Sequence, residues 1–180
     1  MRVSVLFALV AGSAAAIPAA AQTTVFFSDF ESTTPPQIQP GVAALAGVQG
    51  YLGLGPAEAP FSGSFLRSPT GNLVSLTLTD LPPHRSINVH FLFAAIDSLD
   101  GTGTFPQGDF FNVSVDGVSV FRESFANALE SQIQSYSPPP GVQLARRVDL
   151  GFSGPGSFYT DSAYNLAADP TEQQDLAAVE

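Results

Sequence analysis

Hydrophobic and polar residues alternate most clearly over residues 87–125. Ile87, Val89, Phe91 and Phe93 interleave with Asn88, His90 and Leu92. This is the period-two pattern of a strand with one face buried and the other mostly open. Farther on, the run Phe110-Phe111-Asn112-Val113-Ser114-Val115 meets Val118-Ser119-Val120-Phe121 across Asp116-Gly117. That dipeptide supplies the two positive-φ positions of a type I′ turn, so a tight hairpin is predicted. Residues 73–81 predict another strand, with Val74, Leu76 and Leu78 on one face and Ser75, Thr77 and Thr79 on the other, broken by Pro82-Pro83. Residues 23–30 are apolar and β-rich and predict a first strand, whereas the proline-rich residues 32–40 predict a loop.

Residues 42–54 mix small apolar side chains with Gly47, Gly50 and Gly53. They predict one or two short strands rather than a helix, because each glycine in a helix interior costs about 1 kcal/mol. Residues 64–67 predict a short strand, and residues 142–152 a longer one in which Val148, Leu150 and Phe152 alternate with Asp149 and Gly151. Residues 127–134 are a polar connection with room for a helical turn, and Pro138-Pro139-Pro140-Gly141 is a firm break. Gly154-Pro155-Gly156 turns the chain, and Asp169-Pro170-Thr171-Glu172 has the form of a helix start, with an N-cap, a first-turn proline and an acid at the third position. About eight short strands with Gly/Pro turns and almost no amphipathic helix predict an all-β, antiparallel β-sandwich of jelly-roll-like form. The 15 phenylalanines suit a core of large rings between facing sheets.

The first 21 residues stand outside that pattern. Arg2, the apolar residues 3–10 and Ala19-Ala20-Ala21 before Gln22 have the form of a secretory signal peptide cleaved after Ala21. The apolar run is shorter than the roughly 20 residues that span a bilayer, and no second run of that length follows. The expected organisation is therefore a signal peptide at 1–21, one β-sandwich domain at 22–168 and an acidic tail or short helix at 169–180. The expected localisation is secreted or at the cell surface.

Charge narrows the partners. Removal of the signal leaves five arginines (Arg67, Arg85, Arg122, Arg146, Arg147) and no lysine against 16 acidic residues, a net charge of −11. Such a surface repels phosphate backbones, so nucleic acid is not an expected partner. It attracts divalent cations. The chain has no cysteine, so neither a disulfide scaffold nor a thiolate metal site can form.

Calcium takes six to eight oxygens, and glycine-rich turns let carbonyls converge. The loop holding Asp97, Asp100, Gly101, Gly103 and Asp109 has that composition, although it departs from the EF-hand pattern. The same residues are also ordinary turn formers, whose side chains bond the local backbone. Asp29 and Glu31, at the end of the expected first strand, are the second-choice ligands. His84 and His90 are the only histidines, and a zinc site would need carboxylates to complete it. Gly151-Phe152-Ser153-Gly154-Pro155 approaches a nucleophile elbow but fails at its last position and lacks βαβ surroundings. Asp29-Phe30-Glu31 has the two-residue carboxylate spacing of some sandwich glucanases, in reverse order. No glycine-rich phosphate loop opens a helix.

The set Asp29-Phe30-Glu31, GYLGLG at 50–55, FLRSPTGN at 65–72, TLTDLPPH at 77–84, FLFAAIDSLDG at 91–101, GDFFNVSVDGVSVF at 108–121, LGF at 150–152 and DSAYNL at 161–166 resembles a group of uncharacterised bacterial secreted jelly-roll proteins. Several of that group carry a PEP-CTERM sorting tail. The resemblance covers roughly residues 24–168 and no single motif in it is decisive. Members usually have tryptophan where Leu99 stands. They commonly end in a further strand whose aspartate could reach an ion near the first strand. Neither that closing strand nor the sorting tail is recognised in this sequence. The resemblance thus implies a fragment, a frame-shifted product, or a short form in which the acidic tail replaces the final strand. An edge left unpaired in this way would invite association.

The expected function is that of a secreted, non-enzymatic β-sandwich module that binds an extracellular polysaccharide or matrix component, with calcium supporting the fold. Two alternatives remain: a sandwich-fold glycoside hydrolase or lyase, and a purely structural envelope or biofilm protein.

Overall fold

The hairpin forms where its turn dipeptide places it. In the computed structural model, which describes residues 23–84, 87–102, 108–150 and 161–167, Asp116 and Gly117 have φ of 48° and 80°. Both values lie in the left-handed region that a type I′ turn requires. Among the described residues nine short strands follow one another: β1 (Ile38–Gln39), β2 (Ala44–Gly47), β3 (Ser64–Arg67), β4 (Ser75–Leu76), β5 (His90–Ala95), β6 (Phe110–Val115), β7 (Val118–Ser124), β8 (Gln143–Val148) and β9 (Asp161–Ala167). A 3-10 turn at Gln49–Tyr51 joins the second and third, and the described residues contain no α-helix. Every pairing is antiparallel. The strands form the pairs β1-β4, β2-β3 and β6-β7 and the three-stranded sheet β5-β9-β8.

The three-stranded sheet is covered on both faces, and this organises the core. On one side the β6–β7 hairpin lays Phe111, Val113 and Phe121 against Phe91, Phe93 and Ala95 of β5 and Tyr164 and Leu166 of β9, with Phe125 and Tyr136 closing the cluster. The rings meet in stacked and tilted pairs, Phe93 with Phe111 at 4.4 Å and Phe93 with Phe125 at 4.6 Å. Such pairs contribute about 0.5–1.5 kcal/mol beyond the area they bury. On the other side Val48, Tyr51, Phe61 and Phe65 pack against Leu92 and Ala94 of β5, Ala163 of β9 and Leu144 and Ala145 of β8. Gly50 sits so close to the Leu150 carbonyl that a Cβ there would collide with it.

The fold is therefore all-β and antiparallel, with sheets packed face to face as in a sandwich, and several expectations need correction. Residues 23–30 form no strand. The main-chain amides of Phe30 and Glu31 are taken by the side chains of Ser28 and Asp29, Phe30 has a φ of 58°, and Phe27 is exposed. Local side-chain bonds have displaced the ladder. Of residues 73–81 only Ser75–Leu76 pairs, with β1, and the expected inward residue Leu76 faces solvent opposite Ile38. In β5 the face carrying Leu92 is not open, because the cluster around Tyr51 covers it. Residues 127–134 hold no helix; their polar side chains Asn127 and Gln132 are instead buried. β9, for which no strand is predicted from the sequence, is the centre of the sheet, paired with β5 from Ala95↔Ser162 to His90↔Ala167 and with β8 on its other edge. The turn at 154–156, Phe152, the near-elbow at 151–155 and the helix start at 169–172 lie outside the described residues.

Candidate functional site: a polar groove beside β7

The acidic loop is divided between two places. Asp100 and Asp109 come together: the Asp100 amide donates to Asp109 Oδ2 at 2.8 Å, and Asp100 Oδ1 accepts from Gln132 Nε2 at 2.9 Å. The bridges Asp100↔Ala126 and Thr102↔Ile133 clamp this turn to the chain that follows β7. Asp97 belongs elsewhere. Its φ is 63°, its carboxylate takes a 2.6 Å bond from Arg67 Nη2, and its amide donates to Asp161 Oδ1 at 3.1 Å. Asp29 and Glu31 are at neither place. Asp29 caps the Glu31 amide, and Glu31 accepts from the Ser62 hydroxyl beside Gly63. His84 bonds the Pro82 carbonyl, and His90 is exposed on β5. Among the described residues no three side chains of His, Cys, Asp or Glu converge as an ion would require.

Asp161 is the carboxylate the sequence reading missed. It opens β9 at 1 % exposure, beside the Tyr51 hydroxyl. Burial pushes its carboxyl above the ordinary carboxylate range, and the charges of Asp97 and Asp149 add to this, while the bonds from Tyr51 and the Asp97 amide oppose it. The same burial, with the neighbouring Asp161 charge, raises the Tyr51 phenol. Arg146, whose guanidinium bonds the Ala126 carbonyl at 2.8 Å and the Ser162 hydroxyl at 3.1 Å, is lowered by burial. These groups tie β3, β8 and β9 to the segments that follow β5 and β7.

An open concavity of about 330 Å³ does exist along the free edge of β7. Residues 120–123 form one wall, and Ser135, Tyr136, Ser137 and Pro139 form the other. Paired bonds staple its closed end: the Ser124 amide donates to Ser135 Oγ at 2.9 Å, the Ser135 amide to Ser124 Oγ at 2.8 Å, and the Tyr136 amide to the Ser124 carbonyl at 3.4 Å. Beyond Tyr136 the chain enters Pro138-Pro139-Pro140, which has no amide to donate. The ladder stops there and the two walls part. Backbone groups two residues apart on a strand face the same edge, so the Arg122 amide and carbonyl point into the groove as those of Ser124 do. Glu123 is held by the Ser135 hydroxyl, and the Arg122 guanidinium lies 4.0 Å from the Phe110 ring centroid. The proline run was readable as a break but not as a groove wall, because its opposite strand is distant in sequence.

Comparison of the chain with protein-family models, with curated proteins and with solved structures finds no match in any of the three.

Proposed function

We propose that the chain is a secreted, non-enzymatic module of jelly-roll connectivity that binds an extracellular polysaccharide or matrix component through the groove beside β7. The single observation that carries this reading is the groove itself, a concavity along the β6–β7 hairpin edged by hydroxyls, an arginine and open main-chain groups. Glycan hydroxyls need such mixed donors and acceptors. Among the described residues one carboxylate, Glu123, lines it, whereas glycoside hydrolysis ordinarily needs two facing carboxylates. This favours binding over cleavage. Secretion is supported by the form of residues 1–21, and the jelly roll by the motif resemblance and the face-to-face antiparallel sheets.

The test is affinity electrophoresis of the protein in a panel of polysaccharide gels, beside Ser137→Trp, which fills the groove. Retardation that Ser137→Trp abolishes is the expected result. Retardation unaltered in that variant places binding elsewhere, and turnover of any polysaccharide replaces the reading with an enzymatic one.

A calcium ion belongs to the same reading as a stabilising ligand of the Asp100–Asp109 turn, where two carboxylates are already held. Its remaining ligands would have to come from carbonyls and water. Excess calcium is expected to raise the thermal midpoint relative to chelator, since a ligand of the native state alone must stabilise it. Equal midpoints remove the ion and leave the groove untouched.

A further inference from the structure

Among the described residues the arginines divide into three whose guanidinium has a hydrogen-bond acceptor and one whose guanidinium has none. Arg67 is paired with Asp97 at 2.6 Å. Arg146 bonds the Ala126 carbonyl, and Arg147 the Gln132 carbonyl at 2.7 Å. Arg122 is different: it is exposed on β7 and lies over the Phe110 ring, with no hydrogen-bond acceptor for its guanidinium among the described residues. A ring beneath a guanidinium fixes it by cation–π attraction while leaving its N–H donors to the side. Those donors match a carboxylate in bidentate fashion. Arg122 lines the groove with Ser137 on the opposite wall, and the one carboxylate there, Glu123, is engaged by the Ser135 hydroxyl. Asn112, opposite Arg122 in the hairpin register, lies on β6 outside the groove, its nitrogen bonding the Phe110 carbonyl at 3.1 Å.

We infer that the groove beside β7 is a subsite for an acidic sugar, in which Arg122 takes the carboxylate of a uronic-acid residue within a polysaccharide. The inference rests on the polysaccharide-binding reading above and specifies its ligand. A chain of net charge −10 repels a polyuronate at long range as it does a phosphate backbone, so retention has to come from this local contact. Arginine is the residue type that supplies it.

Affinity electrophoresis of the full chain in polygalacturonate, alginate and a neutral β-glucan, with chelator present so that calcium cannot bridge protein and polymer, tests it. Retention by the two polyuronates is expected. Arg122→Ala should weaken it roughly ten- to hundred-fold, as loss of a charge-assisted bond does, and Arg122→Lys should weaken it less. The urea midpoint of Arg122→Lys should match that of the wild type and that of Arg122→Ala fall only slightly, because the side chain is exposed and its contact with the Phe110 ring is the one it gives up. Polyuronate retention unchanged in Arg122→Ala, or retention by the neutral glucan alone, overturns the acidic-sugar assignment while the polysaccharide reading stands. Retention by none of the polymers overturns both.

Discussion

Asp161 shows how one residue's surroundings fix its behaviour. Its carboxylate is buried at the start of β9, where Oδ1 accepts from the Asp97 amide and the Tyr51 hydroxyl lies close by. Burial raises its folded-state pKa above the unfolded value, so the proton is held more tightly in the native chain. The stability it contributes is fully present below the unfolded pKa and is lost as pH rises through the folded one. Asparagine keeps the acceptor for the Asp97 amide and does not titrate. Urea denaturation of Asp161→Asn is therefore expected to gain on the wild type as pH is raised from acid toward neutrality. A difference that does not change with pH would show that the carboxyl is not perturbed. Asp161→Ala, which strands the buried amide, should cost about 1–3 kcal/mol.

At the scale of elements, the hairpin of β6 and β7 isolates backbone preference from packing. Gly117 has a φ of 80° with open space around the position of a Cβ. Gly117→Ala should cost roughly 1–2 kcal/mol from left-handed strain alone, read from the urea midpoint at an unchanged slope. No loss would mean the turn relaxes to another type. This hairpin was legible in the sequence because its information is local: alternation on both sides of a dipeptide that dictates the turn. Residues 73–81 have the same alternation, and residues 23–30 the β-rich composition, but both lack partners over most of their length, and Ser28 and Asp29 offer the backbone another bond. β9 illustrates the converse. Its neighbours β5 and β8 cover both edges, and clusters cover both faces, so Ser162, Ala163 and Tyr164 are all buried. A central strand buried on both sides loses the alternation that marks a half-exposed one. The groove was illegible for a related reason, since its walls meet only once residue 124 is stapled to residue 135.

For the molecule as a whole, the charge balance sets how the fold answers to salt. Sixteen acids against six basic residues leave a net charge of −10, and self-repulsion of that sign opposes the compact state. Raising NaCl from about 0.01 to 0.15 M shortens the Debye length from roughly 30 to 8 Å, which relieves the repulsion between distant carboxylates. The opposing loss is small. The ion pair of Arg67 with Asp97 is partly exposed, 44 % and 31 % at the two side chains, and pairs of that kind contribute about 1 kcal/mol or less. The Arg146 and Arg147 bonds run to neutral carbonyls and depend little on ionic strength. The urea midpoint is thus expected to rise across this salt range in wild type and in an Arg67→Gln variant alike. A fall in the wild type that the variant abolishes would show that the Arg67–Asp97 pair, rather than the summed negative field, governs the response.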